Sequence, residues 1–315
     1  MSLFTILGSG FGSYGYLPAL VEAGVEVALP SRYRDAVSGR AELSGYVQQV
    51  VWCSDVDDAL ARSSGVVIAL RPEDQMRWVP RLTEMPNIRQ LILEKPLAPT
   101  PGSAASLLMA VENAGKRYRV GYTFRFTPWA GKLREALTGS ADSISFDWSF
   151  LAHHYRVGLD NWKRFSSRGG GAVRFYGIQA IALLSELGYD GVSTSTVCGA
   201  SDDEIDCWEG TFTGPNLCPC VLTLASRETN TFFRVVAHNN GQVVQTLADQ
   251  RDPFSSADSG AVQGQDARVG LLRQLCDSFS DGDDGNAQRH RAILALWAAV
   301  EAKSRRVPIA HAGGR

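Results

Sequence analysis

The sequence predicts an α/β protein of two domains. A doubly wound parallel sheet comes first, and an α+β domain with a mostly antiparallel open sheet follows. Three observations predict it. A glycine cluster, Gly8-Ser9-Gly10-Phe11-Gly12-Ser13, lies between the first apolar run and the first helical pattern. Short apolar runs then alternate with helix-like stretches through the first third of the chain, the signature of strands joined by crossover helices. Beyond Lys116–Tyr118, strand-like runs dominate. A length of 315 residues suits two domains at one per ~150 residues, with expected bounds 1–118 and 119–315.

The elements follow in order. Phe4–Leu7 reads as a buried strand and Leu17–Ala23 as a helix. Val25–Leu29 is a second strand, Val56–Ala61 a helix, and Val66–Leu70 a third strand. Trp78–Leu82 sits in a helix, Gln90–Leu93 is a fourth strand, Ala104–Ala114 a helix, and Arg119–Tyr122 a fifth strand. In the second domain, Trp129–Leu137 and Gly177–Leu187 have helical spacing. The strand-like stretches there are Ser143–Leu151, Ser193–Cys198, Cys207–Thr213, Cys218–Ser226, Thr231–Ala237 and Gln242–Thr246. Asp252–Asp266, rich in Ser, Gly and Asp, reads as a loop. A last helix, Ala287–Ser304, follows Asp281, Asp283 and Asp284, which suit the positive end of its dipole.

Composition narrows the function. The chain is 44% hydrophobic and 20% charged with a formal charge of −2, and its mean hydropathy is −0.10. A disordered chain or a membrane span would not have this profile. A nucleic-acid binder would carry a basic excess. Six cysteines are scattered along the length, and the one close pair, Cys218-Pro219-Cys220, lacks the spacing of zinc or redox motifs. No metal is expected, and all six are read as reduced structural thiols. With no charged leader before the glycines, the expected location is cytoplasmic.

The glycine cluster has the context of a nucleotide loop. The first glycine permits a tight turn, the second lets the backbone approach a pyrophosphate, and amides at the helix start hold the phosphates. Ser13 replaces the third glycine, with Gly12 adjacent. Gly8, Gly10, Phe11 and Gly12 are thus expected at the cofactor. The second strand runs into Pro30-Ser31-Arg32 with no acid at its tip. A hydroxyl followed by a guanidinium suits a 2′-phosphate, so NADP is expected in preference to NAD, with Ser31 and Arg32 at the ribose.

Leu93-Glu94-Lys95-Pro96-Leu97 follows the fourth strand, and Val120-Gly121-Tyr122-Thr123-Phe124-Arg125-Phe126 the helix after it. Gly169-Gly170-Gly171-Ala172 opens a later helix-like segment. With the glycine loop, these motifs resemble the glucose–fructose oxidoreductase/inositol dehydrogenase (Gfo/Idh/MocA) family in order and spacing. The resemblance implies a Rossmann domain, a C-terminal α/β domain whose open sheet joins subunits in a homodimer or homotetramer, and a small-molecule substrate over the nicotinamide. No nucleic-acid or membrane partner is expected. Lys95 matches the lysine that meets the reacting oxygen, where an ammonium stabilises developing negative charge. Glu94 would orient it. Leu70, Arg71, Gln75 and Arg125 complete the expected cofactor contacts.

The sequence also departs from the family pattern. Phe175 stands where the family commonly has an aspartate, Gln179 stands at the histidine four residues on, and Gln75 stands near another customary histidine. Gln179 can hydrogen-bond to a substrate but cannot carry a proton. Tyr176 or Tyr122 could donate beside Lys95, with a shared cleft lowering one of the pKa values, or His153 or His154 could donate with a limb near pH ~6.5. Arg174 or Lys163 could meet an anionic group. The expected activity is hydride transfer between NADP and a carbonyl or hydroxyl of a sugar-like molecule. An imine reductase in secondary metabolism and a catalytically silent nucleotide- or ligand-binding protein are the alternatives.

Overall fold

A computed structural model describes residues 2–255, 264–280 and 285–307. The chain forms two compact units: Met1–Ala98, Ser103–Phe126 and Ser256–Ala287 make the first, and Pro99–Gly102, Thr127–Ser255 and Gln288–Arg315 the second. These bounds differ from 1–118 and 119–315. The first unit runs on to Phe126 and takes back a late segment, because Val269, Leu272 and Leu275 are buried in one cluster with Leu17 and Leu20.

In the first unit the strands are β1 (Leu3–Leu7), β2 (Glu26–Pro30), β3 (Val50–Cys53), β4 (Gly65–Ile68), β5 (Gln90–Leu93) and β6 (Arg117–Val120). The helices between them are α1 (Leu17–Glu22), α2 (Arg34–Ser38), α3 (Val56–Arg62), α4 (Pro72–Thr83) and α5 (Pro101–Asn113). The sheet order is β3-β2-β1-β4-β5-β6, and every pairing is parallel. Val66, Val67, Ile68, Leu91, Ile92 and Leu93 are all fully buried, as strands covered on both faces require. β3 is an addition to the sequence reading. It is an edge strand with Val51 exposed, too short and too mixed in polarity to stand out. β6 also begins two residues before the expected Arg119, as its pairing with β5 starts at Arg117.

The second unit contains α6 (Pro128–Ala136), β7 (Ser143–Leu151), α7 (His153–Arg156), α8 (Ile178–Glu186), β8 (Gly191–Cys198), β9 (Cys207–Thr213), β10 (Cys220–Ala225), β11 (Arg227–Asn239) and β12 (Gln242–Gln250). After α9 (Val269–Asp277) in the first unit come α10 (Asn286–Lys303) and β13 (Ser304–Arg306). The seven-stranded order is β12-β11-β7-β10-β9-β8-β13. Its pairings are antiparallel except β7 with β10 and β8 with β13. Trp129, Phe146 and Phe233 meet under this sheet with centroids 5.0–5.7 Å apart. Two of these contacts are edge-on and the Trp129–Phe233 pair is tilted, and such contacts add to the area they bury.

One expectation fails in the sheet. Cys198 and Cys207 are joined by a disulfide, so the six cysteines are not all reduced. They are register partners on β8 and β9 with Cα atoms 5.2 Å apart, within bridging reach. Cys53, Cys218, Cys220 and Cys276 are free. Asp281, Asp283, Asp284 and residues 256–263 of the expected loop lie outside the described residues. Among the described residues, no helix is long and apolar enough to cross a membrane.

Candidate active site

The chain leaves β1 through the glycine loop. Gly8 has φ +117°, and a Cβ there would lie 2.4 Å from the Ala69 carbonyl oxygen just past β4. A side chain at Gly12 would meet Ile6 Cγ2 at 2.7 Å, whereas the space around Gly10 is open. The loop therefore sits flush on the sheet and presents bare backbone on its outer side. The following helix begins as a π-helical turn, Gly12–Tyr16, before α1. Ser13 is buried there, and its Oγ makes no hydrogen bond within the protein. A bare loop above an orphaned hydroxyl at a helix start fits a pyrophosphate.

Pro30 closes β2, and Ser31 and Arg32 stand exposed in the turn behind it. Ser31 Oγ donates to the Ser54 carbonyl at 3.2 Å. The Arg32 guanidinium lies over the Tyr33 ring at 5.4 Å. The Tyr33 hydroxyl in turn accepts from the Gly8 N–H at 3.4 Å, which ties this turn to the glycine loop. Leu70 is half-buried past β4. Arg71 precedes α4 and pairs with Asp74 at 2.9 Å on the surface.

Lys95 follows β5 on the same edge of the sheet. The backbone around it is held from several sides. Gln75, fully buried on α4, donates from Nε2 to the carbonyl oxygens of Glu94 (2.8 Å) and Pro96 (3.0 Å). The Lys95 N–H donates to Glu94 Oε2 at 2.9 Å, and the Tyr16 hydroxyl donates to Glu94 Oε1 at 3.0 Å. A side chain on Gly121 would lie 2.5 Å from Glu94 Oε1, which explains a glycine after β6. Burial pushes the Glu94 carboxyl up against the opposing pull of Lys95 and of the Tyr16 bond. Burial also pushes the Tyr16 and Tyr122 hydroxyls up, with Glu94 adding to both. Arg125, half-buried, stacks on Phe126 at 5.1 Å.

The remaining expected residues belong to the second unit. Gly169 and Gly171 take φ +85° and +79°, and Gly170 backs onto the Trp162 carbonyl, where a Cβ would lie only 2.3 Å away. A π-helical turn, Ala172–Gly177, again precedes the helix, α8. Tyr176 lies among aromatic rings: Phe175 (4.7 Å), Phe150 (4.8 Å), Trp148 (5.9 Å) and His154 (6.4 Å). Phe175 carries Trp162 edge-on at 5.2 Å, and the Lys163 ammonium lies 5.2 Å from its centroid. Gln179 is buried on α8.

The proton-donor expectations change in this setting. Burial pushes the Tyr176 phenol up, as it does Tyr122, the reverse of the lowering expected from a shared cleft. His154 is buried on α7, and burial, with Lys163 and Arg164 nearby, lowers its pKa to about 4. A limb near pH 6.5 therefore does not belong to His154. His153 is exposed. Arg174 donates to both Glu301 carboxylate oxygens (2.7 and 2.5 Å) and to the Ser166 carbonyl (2.6 Å), so it serves the fold and not an anion. Cys198, Asp206 and Cys207 are the group of possible metal donors within mutual reach among the described residues, and the two sulfurs are bonded to each other. Sequence reasoning missed Tyr16, whose hydroxyl on the helix after the loop was its only signal.

The fold and the loop define an N-terminal Rossmann domain joined to a C-terminal α/β domain. Solved structures share this architecture over nearly the whole chain. KijD10, a 3-ketoreductase from Actinomadura kijaniata solved with NADP and TDP-benzene, aligns at 15% identity and TM-score 0.70, over 98% of this chain and 99% of its own. GenD2 from gentamicin A biosynthesis, solved with NAD, aligns at 18% identity and TM-score 0.70, over 96% of this chain and 93% of its own. No family model matches the sequence, and no curated protein matches it.

Proposed function

We propose that this protein is an NADP-dependent oxidoreductase of the Gfo/Idh/MocA type. It transfers hydride between the nicotinamide and a carbonyl or hydroxyl of a sugar or sugar-like molecule. The observation that carries the reading is the placement of Lys95. It follows β5 on the edge where the glycine loop leaves β1, next to the switch in strand order between β1 and β4. Open α/β sheets bind their ligands at the carboxyl ends of strands beside such a switch. The nicotinamide supplies or accepts the hydride. Gly8, Gly10, Phe11 and Gly12 bind the pyrophosphate, Ser31 and Arg32 take the 2′-phosphate, and Leu70, Arg71 and Arg125 complete the cofactor's surroundings. The Lys95 ammonium stabilises charge on the substrate oxygen, oriented by Glu94 and Gln75. The ketoreductase KijD10 supports the substrate class. Tyr176 and Gln179 are assigned to the substrate, Tyr176 as a ring that a sugar's C–H face can stack on and Gln179 as a hydrogen-bonding amide. We place the protein in the cytoplasm with its cofactor pool, as a homodimer or homotetramer. Val243 and Val244, 61% and 54% exposed on the edge strand β12, support a self-association surface.

A second reading rests on Phe175 and Gln179, which supply neither acid nor base. A protonated imine carries its own charge and needs no protein acid. Purified protein with NADPH, a panel of keto-sugars and a panel of cyclic imines, followed at the nicotinamide absorbance, separates the readings. Turnover of keto-sugars supports the first and turnover of imines alone the second. Cofactor binding without turnover of either points to a silent ligand-binding protein.

A further inference from the structure

The late segment before α9 returns to the first unit and brings Arg268 against the glycine loop. Arg268 forks onto Asp266, with Nε to Oδ1 at 2.8 Å and Nη2 to Oδ2 at 2.7 Å, and the Arg268 N–H also donates to Oδ1 at 3.0 Å. Held in this way, its guanidinium lies 4.1 Å from the centroid of the Phe11 ring. Phe11 is the residue between Gly10 and Gly12, so its two peptide groups form the middle of the loop. The other sides of the ring are packed too: Tyr14 and Tyr16 approach it at 5.4 Å. A side chain on Gly15 would lie 2.5 Å from it. Arg40 lies over Tyr14 at 4.7 Å and extends the stack. The fork matters because a planar guanidinium anchored at two of its three nitrogens keeps a fixed plane against a ring, which an ammonium cannot do.

We propose that Arg268, clamped by Asp266, is a positioning residue that holds Phe11 and so presets the glycine loop for the dinucleotide. This rests on the nicotinamide reading above. The loop amides must converge on a pyrophosphate, and a loop of glycines does so at low entropic cost only if something outside it fixes its shape. Phe11 is the side chain that offers a grip: Arg268 lies over its ring, and Tyr14 and Tyr16 pack against it at steep angles. The pyrophosphate is common to both nicotinamide cofactors. Loss of the grip therefore weakens NADPH and NADH alike, in contrast to any change at Arg32.

Dissociation constants for NADPH and NADH, from quenching of tryptophan fluorescence in the full-length protein, test this. Arg268→Gln is expected to raise both about five- to thirtyfold, a range set by the strength of a cation–π contact. Phe11→Leu, which leaves the ion pair in place, is expected to give a similar loss. The double variant should lose no more than the larger single change, and Arg268→Lys should recover part of it. Wild-type affinity in Arg268→Gln, a loss confined to NADPH, or full additivity in the double variant overturns the proposal. So does a lowered thermal midpoint of the unliganded variant with unchanged affinity, the outcome of a purely structural role. If the wild-type protein binds neither cofactor, the nicotinamide reading itself fails; if it binds and Arg268→Gln binds equally well, only the role of Arg268 fails.

Discussion

Gln75 donates from one nitrogen to the carbonyl oxygens of Glu94 at 2.8 Å and Pro96 at 3.0 Å, so a side chain of α4 holds the backbone on both sides of Lys95. An amide does this at every pH, whereas a histidine could not donate to two carbonyls from one nitrogen with equal ease. Replacing Gln75 with Ala removes the donor that the two carbonyl oxygens share, at about 0.5–1.5 kcal/mol for each bond. The Gln75→Ala variant is expected to turn over roughly tenfold to a hundredfold more slowly, since small misplacements at a reacting centre are costly. Steady-state kinetics at saturating NADPH checks it, and unchanged kcat would show that Lys95 is held without Gln75.

Lys95→Ala should lower turnover by around 10²–10³, the usual loss when one stabilising donor is removed from a developing oxyanion. NADPH affinity should stay within a few-fold of wild type. Equal turnover in the two proteins would leave Lys95 a structural residue and favour the imine reading.

Arg32 stands exposed beside Ser31. A charge-assisted hydrogen bond contributes about 1.5–3 kcal/mol. Arg32→Ala should therefore weaken NADPH binding about ten- to a hundredfold and leave NADH nearly untouched. Titration of both cofactors measures it, and equal losses would contradict a 2′-phosphate site.

His154 has a folded pKa of about 4 because it is buried near Lys163 and Arg164. Its ordinary value is ~6.5, so between these pH values the unfolded chain binds the extra proton. The stability from keeping His154 neutral is fully present above pH ~6.5 and is lost as pH falls toward 4. Wild-type protein should lose about 2 kcal/mol on this account between pH 7 and pH 5. Urea titrations of wild type and His154→Gln should differ in slope over that window, and parallel slopes would contradict the burial of a neutral imidazole.

Arg174 and Glu301 form a two-point ion pair with side chains only 18% and 22% exposed. Removing one partner leaves a part-buried charge, which typically costs about 3 kcal/mol or more. Arg174→Ala should be destabilised by that order in denaturant, and Arg174→Ala/Glu301→Ala by less than the single change. A single variant as stable as wild type would free Arg174 for substrate.

Much of the fold was legible because its signals are local. The strand-like runs at Phe4–Leu7, Gln90–Leu93 and Ser143–Leu151 correspond to β1, β5 and β7 within a residue. Hydrophobic runs and turn residues report neighbours in the chain. The edge strand β3 and the short β13 escaped, since an edge strand faces solvent and need not be apolar. The motifs at the glycine loop and at Glu94-Lys95-Pro96 stand out for the same local reason, since each is a short run of residue types that adjoins a strand end.

What remained hidden depends on residues far apart in the chain. No spacing rule relates Gln75 to Pro96, Tyr16 to Glu94, or Arg268 to Phe11, because those contacts exist only after the sheet has aligned β1, β4 and β5 and α9 has docked on α1. The same holds for charge. His154 and Tyr176 have ordinary titration in an isolated chain, and burial among aromatic and basic side chains moves one down and the other up. Cys198 and Cys207 bond because antiparallel pairing sets them face to face across β8 and β9. Sequence reports the covalent neighbourhood and its periodicity. Desolvation and long-range contact arise from packing, and they determine which polar groups can carry a proton, hold a loop or only support the fold.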